Sequence, residues 1–542
     1  MKRTHYCGEV TEINENKTVT VGGFVQKIRD MGELIFIDLR DRTGIVQVTI
    51  TDKGLIQKAK SVRTEFVLEV SGKTTERENK NPNLKTGHLE IIADDVTILS
   101  KAHTTPFEIN GKKLAGEEIR LKYRYLDLRR AELVQNIIKR HKIAQSAREY
   151  FYKNGFLEIE TPMLMKSTPE GARDYLVPSR VHPGKFYALP QSPQIYKQLL
   201  MVSGFDRYFQ IARCFRDEDL RADRQPEFSQ IDLEMSFADV DDILEMVEGF
   251  IEYTFKSVLD IDIKLPLKRL SYDKAMSLYG SDKPDTRFGM ELIKISDEAS
   301  AIVAENSADI LTRKELDKLT DFVKGIGAGG LAYIKNGKCS YKKYAEVEIP
   351  YAKPLGEKDI VFIIENNVSA LGALRLELGK KLNLIPENLW NFLWITDFPF
   401  YDKDDDGNLI PMHHPFTMPN FDENGNVTTA KAFDLVLNGT ELSSGSIRIT
   451  DYELQEKMFT SLGLTKEEID AKFGFLVEAY KYGSPPHGGM GIGLDRLAML
   501  MCGADSLKDI TAFPKVQNAS ELMSECPSEV DKENLDILGI KL

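Results

Sequence analysis

The chain has 542 residues, too many for one hydrophobic core, and its 42% apolar and 29% charged content is that of an ordinary globular protein. A net charge of −13 excludes a protein that coats nucleic acid without selection, while leaving room for one that grips a particular nucleic acid through local basic patches. Five scattered cysteines without a CxxC spacing exclude a disulfide framework or a zinc knuckle and fit a reducing cytoplasm.

The opening MKRTHYCGEVTEINEN lacks the apolar stretch of a signal peptide, and no later window reads as a membrane span. Residues 1–103 read as short strands. VTVGGFVQ alternates, ELIFIDLRDRTGIVQVTI is a hairpin with Gly44 where a positive φ is expected, and FVLEVSG and HLEIIADDVTIL follow. This pattern suggests an OB-type β-barrel, with a small β-sandwich as the alternative. Phe36 and Gln47 fall on the hairpin and Arg29 precedes it; LIFI is apolar throughout, so Phe36 fits either the core or the outer face. Residues 104–125, broken by Pro106, Gly111 and Gly116, read as a linker or hinge.

Helical spacing of Leu133, Ile137, Ile138, Ile143 and Ala144 predicts a helix that Gly155 ends. FLEIETPML then reads as a strand stopped by Pro162, followed by charged hairpins to about residue 240. Residues 126–282 make one block and 283–390 an inserted α+β unit. In that unit DEASAIVAENSADILTRKELDKLTDFVKGIGAGG looks helical, and LAYIKNG and IVFIIENN look like strands. Residues 391–542 resume strand and turn chemistry through FLWITDFPF, a helix near 430–438, SSGSIRI and HGGMGIGLDRLAMLM.

Two stretches carry chemistry on their own residues. FRDEDLRADRQPEFSQID (215–232) joins two β-prone runs, so Arg216, Glu218, Gln230 and Asp232 project to one face by two-residue alternation. An arginine there can clamp a phosphate, and a carboxylate can accept from an amine or a base edge. A solvated, ion-paired hairpin fits the same composition. In HGGMGIGLDRLAML, glycines 488, 489, 491 and 493 lead into a helix with Arg496 in its first turn. Such glycines admit a flat ligand or a phosphate, and a helix N-terminus favours anions; packing glycines are the alternative. No GxxxxGK[ST] occurs, which argues against a P-loop.

ETPML after a helix, FRDE with the RQPEF turn, and GxGxGLDR opening a helix resemble, in this order, the three signature motifs of class II aminoacyl-tRNA synthetases. STPEGARDY (167–175), QSPQIYKQ (191–198), MHHPFT (412–417), DLVLNGTELSSGSIRI (434–449) and KYGSPPHGGMGIGLDRL (481–497) narrow the resemblance to the bacterial aspartyl type, over nearly the whole chain. The resemblance implies an α+β multidomain protein. Its parts would be an OB-type anticodon-binding domain at 1–103 and a catalytic domain on an antiparallel sheet flanked by helices, split over 126–282 and 391–542. A short bacterial-type insertion at 283–390 would separate the halves.

By resemblance, Glu170, Gln194, Lys197, Arg216, Asp232, His413, His414 and Arg448 bind aspartate. Arg448 and Lys197 would meet its side-chain carboxylate, Gln194 and Asp232 its ammonium side, and Glu170 would close over it on a mobile loop. Those residue types are what the charges of aspartate require. For ATP the resemblance gives Arg216, Asp217, Glu218, Gln225, Glu441, Gly493, Leu494, Asp495 and Arg496. Arg216 and Arg496 would be the catalytic pair on the phosphates, and Asp434 with Glu441 would hold Mg²⁺. Arg29, Phe36 and Gln47 would face the anticodon. His413 and His414 lack a third ligand at metal spacing and read as polar residues of the amino-acid site.

The implied reaction starts from a carboxylate that is already ionised. It needs no protein nucleophile, and no Ser-His-Asp or Cys-His constellation is evident. Implied partners are L-aspartate, ATP, tRNA(Asp) and a second copy of the chain meeting through residues 131–162; tRNA(Asn) stays open. The rivals are an asparagine or lysine enzyme of the same subgroup, and a catalytically silent nucleic-acid-binding protein on the same barrel. Arg448 with Lys197 favours an acidic substrate.

Overall fold

The computed structural model describes residues 3–541 apart from 112, 169–171, 219–223 and 404–408. It divides into two compact units. One holds Met1–Lys139, Leu220–Gln225 and Ala504–Glu529; the other holds Arg140–Asp219, Pro226–Gly503 and Val530–Leu542.

In the first unit, β1 (Thr18–Asp30), β2 (Ile35–Asp41), β3 (Gly44–Ile50), β4 (Val67–Glu76) and β5 (Leu89–Ser100) close into a barrel in the order β1-β2-β3-β5-β4. The OB-type expectation is met. Two-residue alternation sends Ile35, Ile37 and Leu39 of β2 and Val46, Val48 and Ile50 of β3 into the core. Phe36 therefore faces outward. Gly44 has φ of 152°, a value that a side chain resists, so the β2–β3 turn needs its glycine. Helix Glu117–Lys122 stands inside the stretch read as a linker, and helix Arg124–Asp127 begins at its end. Buried Arg124 pairs with Asp127 at 2.7 Å and donates to the carbonyls of Lys508, Thr511 and Ala512, which fastens the C-terminal segment of this unit.

Helix α1 runs Ala131–Lys153. In the second unit its Ile143, Ala147 and Phe151, spaced by four, join the main core. Strand β6 is only Leu157–Glu158, shorter than FLEIETPML suggests, because Thr161, Pro162 and the residues after them leave the sheet. The region read as charged hairpins contains α2 (Gln194–Val202) ahead of the true hairpin β7 (Arg207–Phe215) and β8 (Glu227–Ser236). Helix α3 (Val240–Leu259) and strand β9 (Lys268–Ser271) follow.

The 283–390 stretch is an α+β unit, although its first part is not wholly helical. Ala299–Ala304 is a strand, since SAIVA is small and β-branched, and α4 begins only at Arg313, capped by Thr312, and ends at Gly325. Five strands pair in the order Ile293–Lys294, Ala299–Ala304, Ile360–Glu365, Ala332–Lys335, Lys338–Cys339, and α4 with α5 (Val368–Lys381) packs on one face.

The chain then supplies β10 (Phe392–Thr396), β11 (Ala432–Leu437), β12 (Thr440–Ile447), β13 (His487–Gly493) and α6 (Leu494–Cys502). The helix expected near 430–438 is strand β11. AFDLVL alternates Phe433, Leu435 and Leu437 into the core, and Asn438-Gly439, with φ of 52° and 79°, makes a two-residue hairpin turn into β12. The eight-stranded sheet has the order β9-β10-β11-β12-β13-β8-β7-β6, antiparallel except at its two edges. Residues of α1, α3 and α6 cover one face, leaving the other for the site. No helix among the described residues is long and apolar enough to cross a membrane.

Candidate active site

The floor of the site is written by alternation along β8. Ile231, Leu233 and Met235 join the core beneath, so Gln230, Asp232 and Glu234 stand on the opposite face. Across the ladder they face Gly493, Gly491 and Gly489 of β13. A Cβ on Gly489 would lie 2.2 Å from Glu234 Oε2 and 2.1 Å from the Leu233 carbonyl oxygen. On Gly491 it would lie 3.2 Å from Gln230 Oε1 and 3.4 Å from Asp232 Oδ1. These glycines make room for the acids of the neighbouring strand.

Lys197, from α2, places Nζ 2.9 Å from Asp232 Oδ1 and 3.2 Å from Glu234 Oε2. Arg448, just after β12, donates from Nε to Glu234 Oε1 at 2.8 Å and from Nη2 to Glu234 Oε2 at 3.2 Å. Its Nη1 donates to Ser446 Oγ at 2.6 Å and Nη2 also to the Gly489 carbonyl at 3.1 Å. All four charged residues are buried, with Glu234 at 0% exposure. Burial opposes ionisation of Glu234, but Arg448 and Lys197 outweigh it and hold the carboxyl below its usual range. For Asp232 burial wins over Lys197 and pushes it up to about 6. Sequence reasoning missed Glu234, though its alternation with Gln230 and Asp232 in QIDLE was the available signal.

Several polar atoms on these residues are buried without a partner among the described residues: Asp232 Oδ2, Gln194 Nε2, His413 Nε2 and both ring nitrogens of His414. Buried polar groups in a folded protein are ordinarily satisfied, so such orphans mark where a polar ligand fits. His414 lies against Phe416, ring centroids 4.4 Å apart, and His413 meets Phe398 edge-on at 4.8 Å. Burial lowers His413 to about 4, and burial with Arg448 and Lys197 lowers His414 to about 3, so both rings are neutral at pH 7. No group of three His, Cys, Asp or Glu residues suited to a metal occurs among the described residues.

Along the same sheet, Asp434 on β11 and Glu441 on β12 form the acid pair. Asp434 is buried, its Oδ1 has no partner, and burial with the neighbouring Glu441 pushes it up to about 8. Two hard oxygen donors, one of them orphaned, fit an ion such as Mg²⁺ that takes few protein carboxylates and completes its shell with water and phosphate. Lys283 Nζ stands 3.5 Å from Glu441 Oε2. Arg496, in the first turn of α6, donates from Nη1 to the Glu441 carbonyl at 2.6 Å.

On the β7–β8 hairpin, Arg216 bonds through its backbone N–H to Pro226 and lies over the Phe228 ring at 5.0 Å. Asp217 bridges to Arg173 of the STPEGARDY segment, its N–H donating to the Arg173 carbonyl at 3.1 Å, and Glu218 follows it. Gly493 and Leu494 form the β13–α6 junction. Asp495 accepts from Arg140 Nε and from the Ser229 N–H, both at 2.8 Å, which fixes the first turn of α6. Gln225 belongs to the first unit, where its side-chain amide exchanges two bonds with the Lys515 backbone. Glu170 lies outside the described residues.

On the barrel, Arg29, Phe36 and Gln47 meet on one outer face. The Arg29 guanidinium is 5.3 Å from the Phe36 ring centroid and donates to Gln47 Oε1 at 3.0 Å. Gln47 also accepts from Arg77 at 2.7 Å and donates to Glu90 at 2.8 Å.

Comparison with known proteins gives this geometry a family. The pattern of tRNA synthetases class II (D, K and N) matches residues 116–517, and that of the OB-fold nucleic acid binding domain matches residues 19–99. The aspartate–tRNA(Asp/Asn) ligase of Caldanaerobacter subterraneus subsp. tengcongensis is 50% identical over 590 aligned positions, covering 100% of this chain and 98% of that protein. The aspartate–tRNA ligase of Ruminiclostridium cellulolyticum is 50% identical over 589, with the same shares covered. Both alignments are longer than this chain, so these relatives carry segments that it lacks. Among solved structures, asparaginyl-tRNA synthetase from Pyrococcus horikoshii, complexed with asparaginyl-adenylate, shares the fold. Its TM-score is 0.64 at 20% identity, covering 95% of this chain and 98% of that one. Aspartyl tRNA synthetase from Entamoeba histolytica gives 0.61 at 20% identity, covering 95% and 91%. The chain belongs to the class II tRNA synthetases of the D, K and N group, in the family of the aspartate–tRNA ligases.

Proposed function

We propose that the protein activates L-aspartate with ATP to aspartyl-adenylate and transfers the aspartyl group to the 3′-terminal ribose of tRNA(Asp), with tRNA(Asn) as a second possible acceptor. The observation that carries this reading is the buried Lys197–Asp232–Glu234–Arg448 cluster, bordered by orphaned polar atoms. Glu234 fixes both cations in place, which leaves their outer faces to an incoming carboxylate. Asp232 Oδ2 and Gln194 lie ready for the ammonium side, and neutral His413 and His414 add polar contacts without adding charge. Asparagine would leave the two cations without the anion they are set to meet, a costly arrangement in a desolvated site.

The α-carboxylate of aspartate attacks the α-phosphorus in line and pyrophosphate leaves. This chain contributes orientation and charge: Arg216 at the α-phosphate, Arg496 toward the γ-phosphate, Glu218 and Asp217 at the adenine end, and the Gly493–Leu494–Asp495 backbone beneath. Asp434 and Glu441 would hold Mg²⁺, which when bound offsets phosphate charge. Arg29, Phe36 and Gln47 are the proposed anticodon face, where the half-buried, outward-facing Phe36 ring offers a stacking platform. The protein is proposed to act in the cytoplasm as a homodimer built on 131–162. Exposed Tyr152 and Leu157 within it, with exposed Met163 and Leu164 directly after it in sequence, support that surface.

The test is ATP–pyrophosphate exchange with the purified chain. Exchange that requires aspartate and is absent with asparagine or lysine supports the reading, and no exchange with any amino acid sinks it.

A further inference from the structure

The segment Ser281-Asp282-Lys283-Pro284-Asp285 opens the insertion, yet Lys283 stands at the acid pair of the catalytic sheet, 3.5 Å from Glu441. Its Nζ also pairs with the neighbouring Asp282 at 3.0 Å. The lysine side chain is 44% exposed and those of Asp282 and Glu441 36%, while Asp434 is buried with Oδ1 unpartnered among the described residues. Partly exposed ion pairs such as these two contribute little to stability and are readily exchanged.

The mount for this loosely held cation is, by contrast, firmly built. Asp285 takes the backbone N–H of Arg287 at 3.0 Å and its guanidinium at 2.7 Å. Buried Arg375, on α5 of the insertion, donates to the carbonyls of Asp285, Phe288, Gly289 and Met290. Thr286 donates to Asn391 at 3.0 Å, and Asn391 exchanges backbone and side-chain bonds with Asn438. A Cβ on Gly439 would come within 2.9 Å of Asp285 Cβ, so the segment presses against the turn that leads to Glu441. A fixed backbone carrying a weakly paired ammonium suits a cation that must change partners.

We propose that Lys283 is a polyphosphate-binding residue of the ATP subsite. Shared with Asp282, it offsets the Glu441 carboxylate while no divalent ion is bound there, and it turns to the β- and γ-phosphates of ATP, or to pyrophosphate, once the ion takes its place. This rests on the reading of the acid pair as a cation site. The insertion thereby contributes a side chain to the reaction centre, held there by Arg375.

The experiment uses the full chain and its Lys283→Met, Lys283→Arg and Glu441→Gln variants. Mn²⁺ binding without nucleotide is followed by electron paramagnetic resonance, and ATP and pyrophosphate binding with Mg²⁺ by calorimetry. Lys283→Met is expected to bind Mn²⁺ at least about threefold tighter and to lose about tenfold in affinity for both polyphosphates, the scale of one charge-assisted hydrogen bond. Lys283→Arg should keep polyphosphate affinity, and aspartate affinity should be unchanged in both. ATP and pyrophosphate affinities of Lys283→Met within about twofold of the parent overturn the proposal while leaving the acid pair intact. Equal Mn²⁺ binding by the parent and Glu441→Gln removes the cation site itself, and the part given to Lys283 falls with it.

Discussion

Among the described residues Glu234 is the one carboxylate that pairs with buried Arg448, and it shares buried Lys197 with Asp232. Removing it would leave the buried Arg448 charge without a carboxylate, at a cost of about 3–5 kcal/mol. Glu234→Ala is therefore expected to lower unfolding stability by that order in urea denaturation and to abolish aspartate-dependent exchange. A change below about 0.5 kcal/mol, the level of an ordinary surface substitution, would mean that Arg448 and Lys197 are held by something else. At this scale the site was legible through the resemblance of its motifs, residue type alone leaving a solvated hairpin as the alternative. Lys197, Arg448 and Asp232, grouped by that resemblance, do lie in one cluster around Glu234, and His413 and His414 are neutral rings. What one strand cannot reveal is a partner more than two hundred positions away, as Arg448 is from Glu234. Nor does a motif reveal that the Asp495 carboxylate is taken up by Arg140 and Ser229.

At the scale of elements, strand period decided most outcomes. Once β2 sends Ile35 and Ile37 inward, Phe36 has to face outward with Arg29 and Gln47, a phase that the uniformly apolar LIFI could not reveal. Phe36→Ala is expected to weaken charging of tRNA by about 5- to 150-fold, the equivalent of about 1–3 kcal/mol of stacking, while ATP–pyrophosphate exchange without tRNA stays near the parent rate. Loss of both activities would mark Phe36 as a packing residue. The misread segment near 430–438 held its own correction in Asn438-Gly439, the strongest short hairpin signal. Helix α2 was harder to see, because it starts at Gln194 behind Pro193 with no side-chain cap.

For the whole molecule, the barrel was legible from its two-residue alternation and the catalytic sheet from the motif resemblance, whereas strands Ala299–Ala304 and Ala432–Leu437 were read as helical. The division of units was less legible, because Gln225 and the 504–529 segment join the barrel's unit through contacts distant in sequence, such as Gln225 with Lys515 and Arg124 with Lys508. Sedimentation at micromolar concentration is expected to give twice the 61.4 kDa of one chain; a monomer would contradict a dimer built on 131–162. The order of strands also bears on synthesis. Barrel partners all lie within residues 18–100, whereas β8 pairs on one side with β7 and on the other with β13, some 250 residues downstream. A nascent chain thus holds Lys197 and Glu234 long before Arg448 and the β13 glycines leave the ribosome. The barrel can close early, but the acid floor stays an open, half-paired edge until almost the last of the chain is made.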